Sequence, residues 1–144
     1  MEYTLFLFVH LLSTAVMFGI VWFVQIIHYP LFAVVEEKNF SLFEKEHVRL
    51  TKFLIMPAML LELGTGILLP FLASSELLDL YWFNLLLLLG IWVSTFLIQV
   101  PLHSTLTAVK DNRVIRRLVQ SNWIRTVLWT TRLILLFWIL IFMS

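Results

Sequence analysis

Apolar residues fill four long stretches of the chain, at about residues 3–29, 53–72, 80–102 and 123–143. Each reaches the ~20 residues that a helix needs to cross roughly 30 Å of hydrocarbon at about 1.5 Å per residue. The pattern changes between them. Residues 41–52 and 112–122 mix charged and apolar positions, as helices at a membrane interface do. Ser41-Leu42-Phe43-Glu44 has the form of a capping box, and Asp111 stands where it can cap a second such helix. Pro57 and Pro70 fall inside the second stretch and predict kinks; Pro101 sits near the end of the third. The reading is all-α: an integral membrane four-helix bundle, with residues 1–144 as one domain.

Composition agrees. Of 144 residues, 61% are hydrophobic and 13% charged, with mean hydropathy +0.97. A soluble domain of this size could not hide so much apolar surface. There is no cysteine, which excludes disulfides and thiolate metal sites. A formal net charge of +1 gives no case for a nucleic-acid partner. The leading "MEYTLFLFVH" lacks a basic start and a small-residue cleavage site, so it reads as a retained helix. The positive charges are one-sided. Lys38, Lys45, Arg49 and Lys52 follow the first stretch, and Lys110, Arg113, Arg116 and Arg117 follow the third. Neither the turn "ASSELLD" nor either terminus holds any. The positive-inside rule then puts both long connections in the cytoplasm and both termini on the other side of the inner (cytoplasmic) membrane.

With direction assigned, the polar residues gather at one end. Gln25 and His28 close the first stretch, His47 precedes the second, Gln99 and His103 close the third, and Asn122 and Arg125 open the fourth. Residues three or four apart share a helix face, so each pair can point inward together. His28, His47 and His103, with Glu44 one turn before His47, form a candidate ligand set for Fe, Zn or Cu. The alternative is three interfacial histidines bonded to head groups, water or backbone. Gln25, Gln99 and Asn122 are either pocket-lining groups or glue between helices.

Glu62 and Arg132 each lie ten residues beyond the cytoplasmic start of their stretch, about 15 Å deep. A lone charge there costs at least ~2.5–3.5 kcal/mol, so the two are expected to pair. His10 is expected near the outer end, either as a haem ligand or as a packing histidine bonded to Ser13 or Thr14. Gly64 and Gly66 are expected to admit a close helix neighbour, and Trp82 and Trp123 to anchor the interfaces.

"QIIHYPLF" and "QVPLHSTL" echo one another at the ends of the odd stretches. The echo suggests two helical hairpins related in parallel orientation. The motifs "WFVQIIHYPLF", "PAMLLELGTG", "QVPLH" and "NWIRTVLWTTR" resemble those of a family of small bacterial four-span membrane proteins; the likeness covers nearly the whole chain and implies the four-span plan but no activity. A looser similarity, in size and plan, links the chain to anthrone-oxygenase-like membrane proteins and to the haem-carrying membrane protoporphyrinogen oxidase. In the latter a histidine early in the first span matters, and His10 is the comparable position. That family's Pro-Arg motif is Pro30-Leu31 here, and its activity is not carried over.

These features together suggest a polar pocket at the cytoplasmic end of the bundle. The function expected is a metal- or haem-dependent oxidoreductase acting on a lipophilic small molecule. Its candidate catalytic residues are Glu62, Arg125 and Arg132: Glu62, or Glu44, would be ligand or proton acceptor, and Arg125 and Arg132 would hold an anionic part of the substrate or balance charge. The rivals are an accessory subunit of a larger membrane complex and a small homodimeric carrier gated by Glu62 and Arg132.

Overall fold

The computed structural model describes residues 2–143; Met1 and Ser144 lie outside them. Four long helices carry most of the chain: α1 (Glu2–Val34), α2 (Glu37–Leu72), α3 (Leu78–Ala108) and α4 (Asn112–Met143). All four are long and apolar enough to cross a membrane. The all-α four-helix bundle implied by the apolar pattern is what forms. Large side chains such as Phe8, Phe53, Phe71, Leu86 and Leu97 face outward, the arrangement expected where lipid is the solvent.

The odd helices are not uniform. In α1 a π-turn at Val24–His28 is followed by Tyr29-Pro30; in α3 a π-turn at Thr95–Gln99 is followed by Val100-Pro101. Proline has no N–H, and its ring crowds the carbonyl four residues back. A widened turn relieves that crowding: the N–H of Tyr29 bonds the Val24 carbonyl and that of Val100 bonds the Thr95 carbonyl, five residues back in each case. The sequence echo therefore has a backbone counterpart at the same place in both odd helices.

Each even helix runs through its interfacial stretch into its apolar one. Residues 41–52 and 53–72 belong to one 36-residue helix, and 112–122 continue without a break into 123–143. Ser41 is not the cap expected from its capping-box pattern. The helix starts four residues earlier, and the Ser41 hydroxyl instead donates to the Thr107 carbonyl at 2.7 Å. Pro57 and Pro70 sit inside α2 without ending it. Asp111 does cap α4, accepting the Arg113 N–H at 2.7 Å.

Around the bundle, α1 packs on α2 and α4, and α3 does the same, so α1 and α3 are diagonal neighbours. The two connections at the end away from the termini are tied together by Lys110, whose ammonium donates to the carbonyls of Ala33 and Val35 at the end of α1. Three apolar layers fill the interior. Leu7, Leu69, Tyr81, Leu136 and Ile139 form one at the end bearing the termini. Met17, Val21, Ile55, Met59, Ile91 and Trp129 form the middle one. Tyr29, Phe32, Phe40, Leu106, Ile115 and Leu118 form the third. The two gaps between these layers hold the buried polar side chains.

Candidate functional site

The first polar layer is built on an ion pair. Arg132 Nη1 donates to Glu62 Oε1 at 2.8 Å, and both side chains are fully buried. Trp129, one turn before Arg132, adds its indole N–H to the same carboxylate at 3.1 Å. The rest of the guanidinium is also bonded: Nε donates to Asn84 Oδ1 at 3.2 Å and Nη2 to His10 Nε2 at 3.1 Å. A guanidinium only donates, so His10 Nε2 is an acceptor and its proton sits on Nδ1. The Nδ1–H then donates to Thr65 Oγ1 at 2.8 Å, and Thr65 in turn donates to the Leu61 carbonyl. All four helices contribute to this layer.

The expected Glu62–Arg132 pair forms. The placement of His10 differs from expectation: it joins this layer and bonds Thr65 and Arg132 rather than the hydroxyls of Ser13 or Thr14. Ser13 donates instead to backbone carbonyls, including that of His10. Both His10 nitrogens are engaged, and the ring is buried.

The second polar layer lies at the end expected to face the cytoplasm. Its first part is a set of amide bonds. Asn122 Nδ2 donates to Gln25 Oε1 at 3.0 Å, Gln25 Nε2 donates to the Val119 carbonyl, and Gln99 Nε2 donates to Ser121 Oγ at 3.2 Å. Such bonds average only about 0.6 kcal/mol in membranes, so they set the register of α4 rather than dominate stability.

Its second part brings His28, His47, His103 and Glu44 together. His28 Nε2 and His47 Nδ1 are 2.9 Å apart. His103 Nδ1 meets Glu44 Oε1 at 2.5 Å, and His103 Nε2 meets the Tyr29 hydroxyl at 2.9 Å. The rings of His47 and His103 are 5.2 Å apart, centre to centre. The convergence expected from helix direction is real, but the nitrogens are turned toward one another and toward Glu44 and Tyr29. Among the described residues, no group of three or more His, Cys, Asp or Glu side chains is placed to hold a metal ion. What the geometry does form is a phenol–imidazole–carboxylate chain, Tyr29–His103–Glu44. A buried carboxylate orients the imidazole, and the imidazole accepts from the phenol, an arrangement suited to moving a proton. Glu44 is fully buried, and its Oε2 has no partner.

A cavity of about 520 Å³ runs from this chain toward the middle apolar layer. His47, His103, Tyr29 and Gln99 line its polar end, and Met17, Val21, Ile55, Met59 and Trp92 line the rest. It falls in the range, roughly 300–1,000 Å³, that holds one small molecule. Arg125 reaches it from α4, packed at 5.3 Å over the Trp129 ring. Arg132 and Glu62 do not line it.

Several residues of the two polar layers were not singled out from sequence. Asn84 is one: a lone amide in the apolar run "LYWFNLLLLLG", it carries the signal of a polar group that must face inward. Tyr29 and Thr65 carry no comparable signal. Of the two glycines, only Gly66 is closely approached, with His10 Cε1 and Leu88 Cδ2 each 3.1 Å from where a β-carbon would stand; Gly64 has nothing within 4 Å. No protein-family profile, curated protein or solved structure matches the chain.

Two predictions follow from the first polar layer. Glu62→Ala strands a buried guanidinium and lowers stability by about 3–5 kcal/mol, whereas Glu62→Leu combined with Arg132→Met costs much less than the two single changes summed. Unfolding in detergent, read by far-ultraviolet dichroism, checks both. Gly66→Ala presses on a histidine ring held at both nitrogens and costs about 1–3 kcal/mol, while Gly64→Ala is neutral or mildly stabilising. Equal effects at the two glycines would contradict the packing described.

Proposed function

We propose that this integral membrane protein takes a lipophilic small molecule into the cavity between α2 and α3 and moves a proton at the polar end of that molecule. One observation carries the reading: a largely apolar cavity ends against Tyr29, His103 and His47, with Glu44 behind His103. His103 is the base or acid, Glu44 holds it in place, and Tyr29 is the group that exchanges a proton with the ligand. A lipophilic substrate fits the lining, and acid–base chemistry fits the groups that meet its head.

A photoreactive long-chain alcohol in lipid nanodiscs tests the cavity. It is expected to label α2 between Val48 and Met59, and Thr95→Trp, which fills the space, is expected to abolish that labelling. Labelling spread evenly over outward-facing residues, and unchanged by Thr95→Trp, would contradict the reading. The chemistry is tested with a bacterial lipid extract: a product formed by the wild type is expected to be lost in both His103→Ala and Tyr29→Phe.

A metal-dependent oxidoreductase is the second reading, supported by the shared layer of His28, His47, His103 and Glu44. It requires the His28–His47 and His103–Glu44 bonds to open around the ion. Stoichiometric Zn or Fe in the purified protein, lost on His47→Ala, would favour it over the first.

For orientation, we infer that both termini face away from the cytoplasm in the inner membrane. The support is the eight Lys and Arg residues of the two connections at one end. The chain has no cysteine, so single replacements report cleanly. A membrane-impermeant maleimide is expected to reach Ser75→Cys in intact cells and Asn39→Cys only after lysis. The reverse pattern would overturn the orientation.

A further inference from the structure

We infer that the cavity selects a single-tailed amphiphile with an anionic head, that Arg125 is the counter-charge for that head, and that the ligand arrives sideways from the lipid through the gap between α2 and α3. This rests on the cavity reading above and adds the chemical class of the ligand and its route.

The charge balance of the interior comes first. Glu62 is matched by Arg132, and Glu44 is held by a hydrogen bond from His103. Arg125 is only 7% exposed and forms no ion pair with a carboxylate among the described residues. Its Nε has no hydrogen-bond partner; the Tyr29 hydroxyl lies beside the guanidinium, and the Trp129 ring packs on it. A cation taken out of water with part of its donor set unspent costs several kcal/mol unless an acceptor reaches it. The side chain lines the cavity, so the acceptor can be a ligand. A planar guanidinium suits a carboxylate or a similar oxyanion head.

Position then gives polarity. Arg125 is level with Gln25, because Asn122 and Thr126 on either side of it both bond Gln25 Oε1. The space beyond it, toward Met17, Met59 and Trp92, is apolar. A head at Arg125 therefore sends its tail toward the middle of the membrane. The volume suits one chain or a compact ring body.

The route comes from the backbone. α2 packs on α3 at Leu78–Ser94 and again at Val100–Ala108, but barely at all along the π-turn between them. The turn imposed by Pro101 thus coincides with the parting of the two helices. Thr95, Phe96, Gln99 and Val100 line the cavity there, and Phe96 and Val100 are also exposed on the outer surface. Nothing charged guards this opening on α3, which suits an apolar tail sliding in from lipid.

The test uses the full chain in zwitterionic nanodiscs at mildly alkaline pH. Binding of a fluorescent long-chain carboxylic acid is compared with that of its alcohol. The wild type is expected to prefer the acid by about tenfold or more, the worth of one charge-assisted contact. Arg125→Gln is expected to erase that preference while still binding the alcohol, and Arg125→Lys to keep part of it. Equal binding of acid and alcohol by the wild type overturns the proposal while leaving the cavity reading standing. Binding of neither overturns both. Loss of the acid signal when anionic phospholipid is added to the disc would assign the site to bulk lipid and overturn the single-tailed claim. Lys52 also lines the cavity, so should the Arg125 variants fail to fold, loss of the preference for the acid in Lys52→Gln would overturn the assignment to Arg125, and its retention would support it.

Discussion

A charge inside hydrocarbon must find its opposite at its own depth, and this bundle is organised around one such match. The Glu62–Arg132 pair lies in the gap between two apolar layers, and every donor group of the guanidinium has a partner. Those partners come from α1, α2 and α3, so the pair sets the relative height and rotation of all four helices. Lipid offers no hydrophobic force to hold helices together, which makes such directional contacts decisive. The diagonal helices α1 and α3 hardly touch through their backbones, yet His10 reaches Asn84 and Tyr29 reaches His103 across the centre.

The second polar layer follows from the first. Once α4 is fixed at Arg132, its earlier turns bring Arg125 and Asn122 to the level of Gln25. The prolines act on the other axis. Pro30 and Pro101 each force a widened turn, one beside the polar layer in α1 and the other beside the gap in α3. One turn presents Tyr29 and His28 inward, and the other lines the cavity. A constraint on stability and a constraint on backbone hydrogen bonding thus converge on the end of the bundle that holds the cavity. A dense, fully bonded layer adjoins a looser one that leaves polar atoms of Glu44, Gln99 and Arg125 unpaired. The looser layer is the one that faces the cavity.

Much of this was legible before the structure. Apolar run length gave the four helices, and counting residues from the charged ends gave the Glu62–Arg132 match and the gathering of three imidazoles. What failed had physical causes. His10 lies deeper than a first helix ending at Tyr29 implies, because α1 continues to Val34. Measured from the outer helix ends, His10 is eight residues in from Glu2 and Glu62 ten residues in from Leu72, so they share a level. Ser41 showed a true capping pattern, but the residues before it are helical too, and its hydroxyl found a better acceptor on α3. Whether imidazoles surround an ion or bond to one another depends on side-chain torsions, which spacing does not encode. The π-turns are foreshadowed only by their prolines.

The buried match between α2 and α4 is the contact on which the rest of the bundle depends. Solid-state NMR on the protein in bilayers, with ¹⁵N in the Arg132 guanidinium and ¹³C in the Glu62 carboxyl, measures it directly. Strong dipolar coupling between the two, consistent with the 2.8 Å nitrogen–oxygen contact, is the expected result. Absent coupling, with both groups exchanging with water, would mean that this pair does not set the height and rotation of the four helices and would contradict the account.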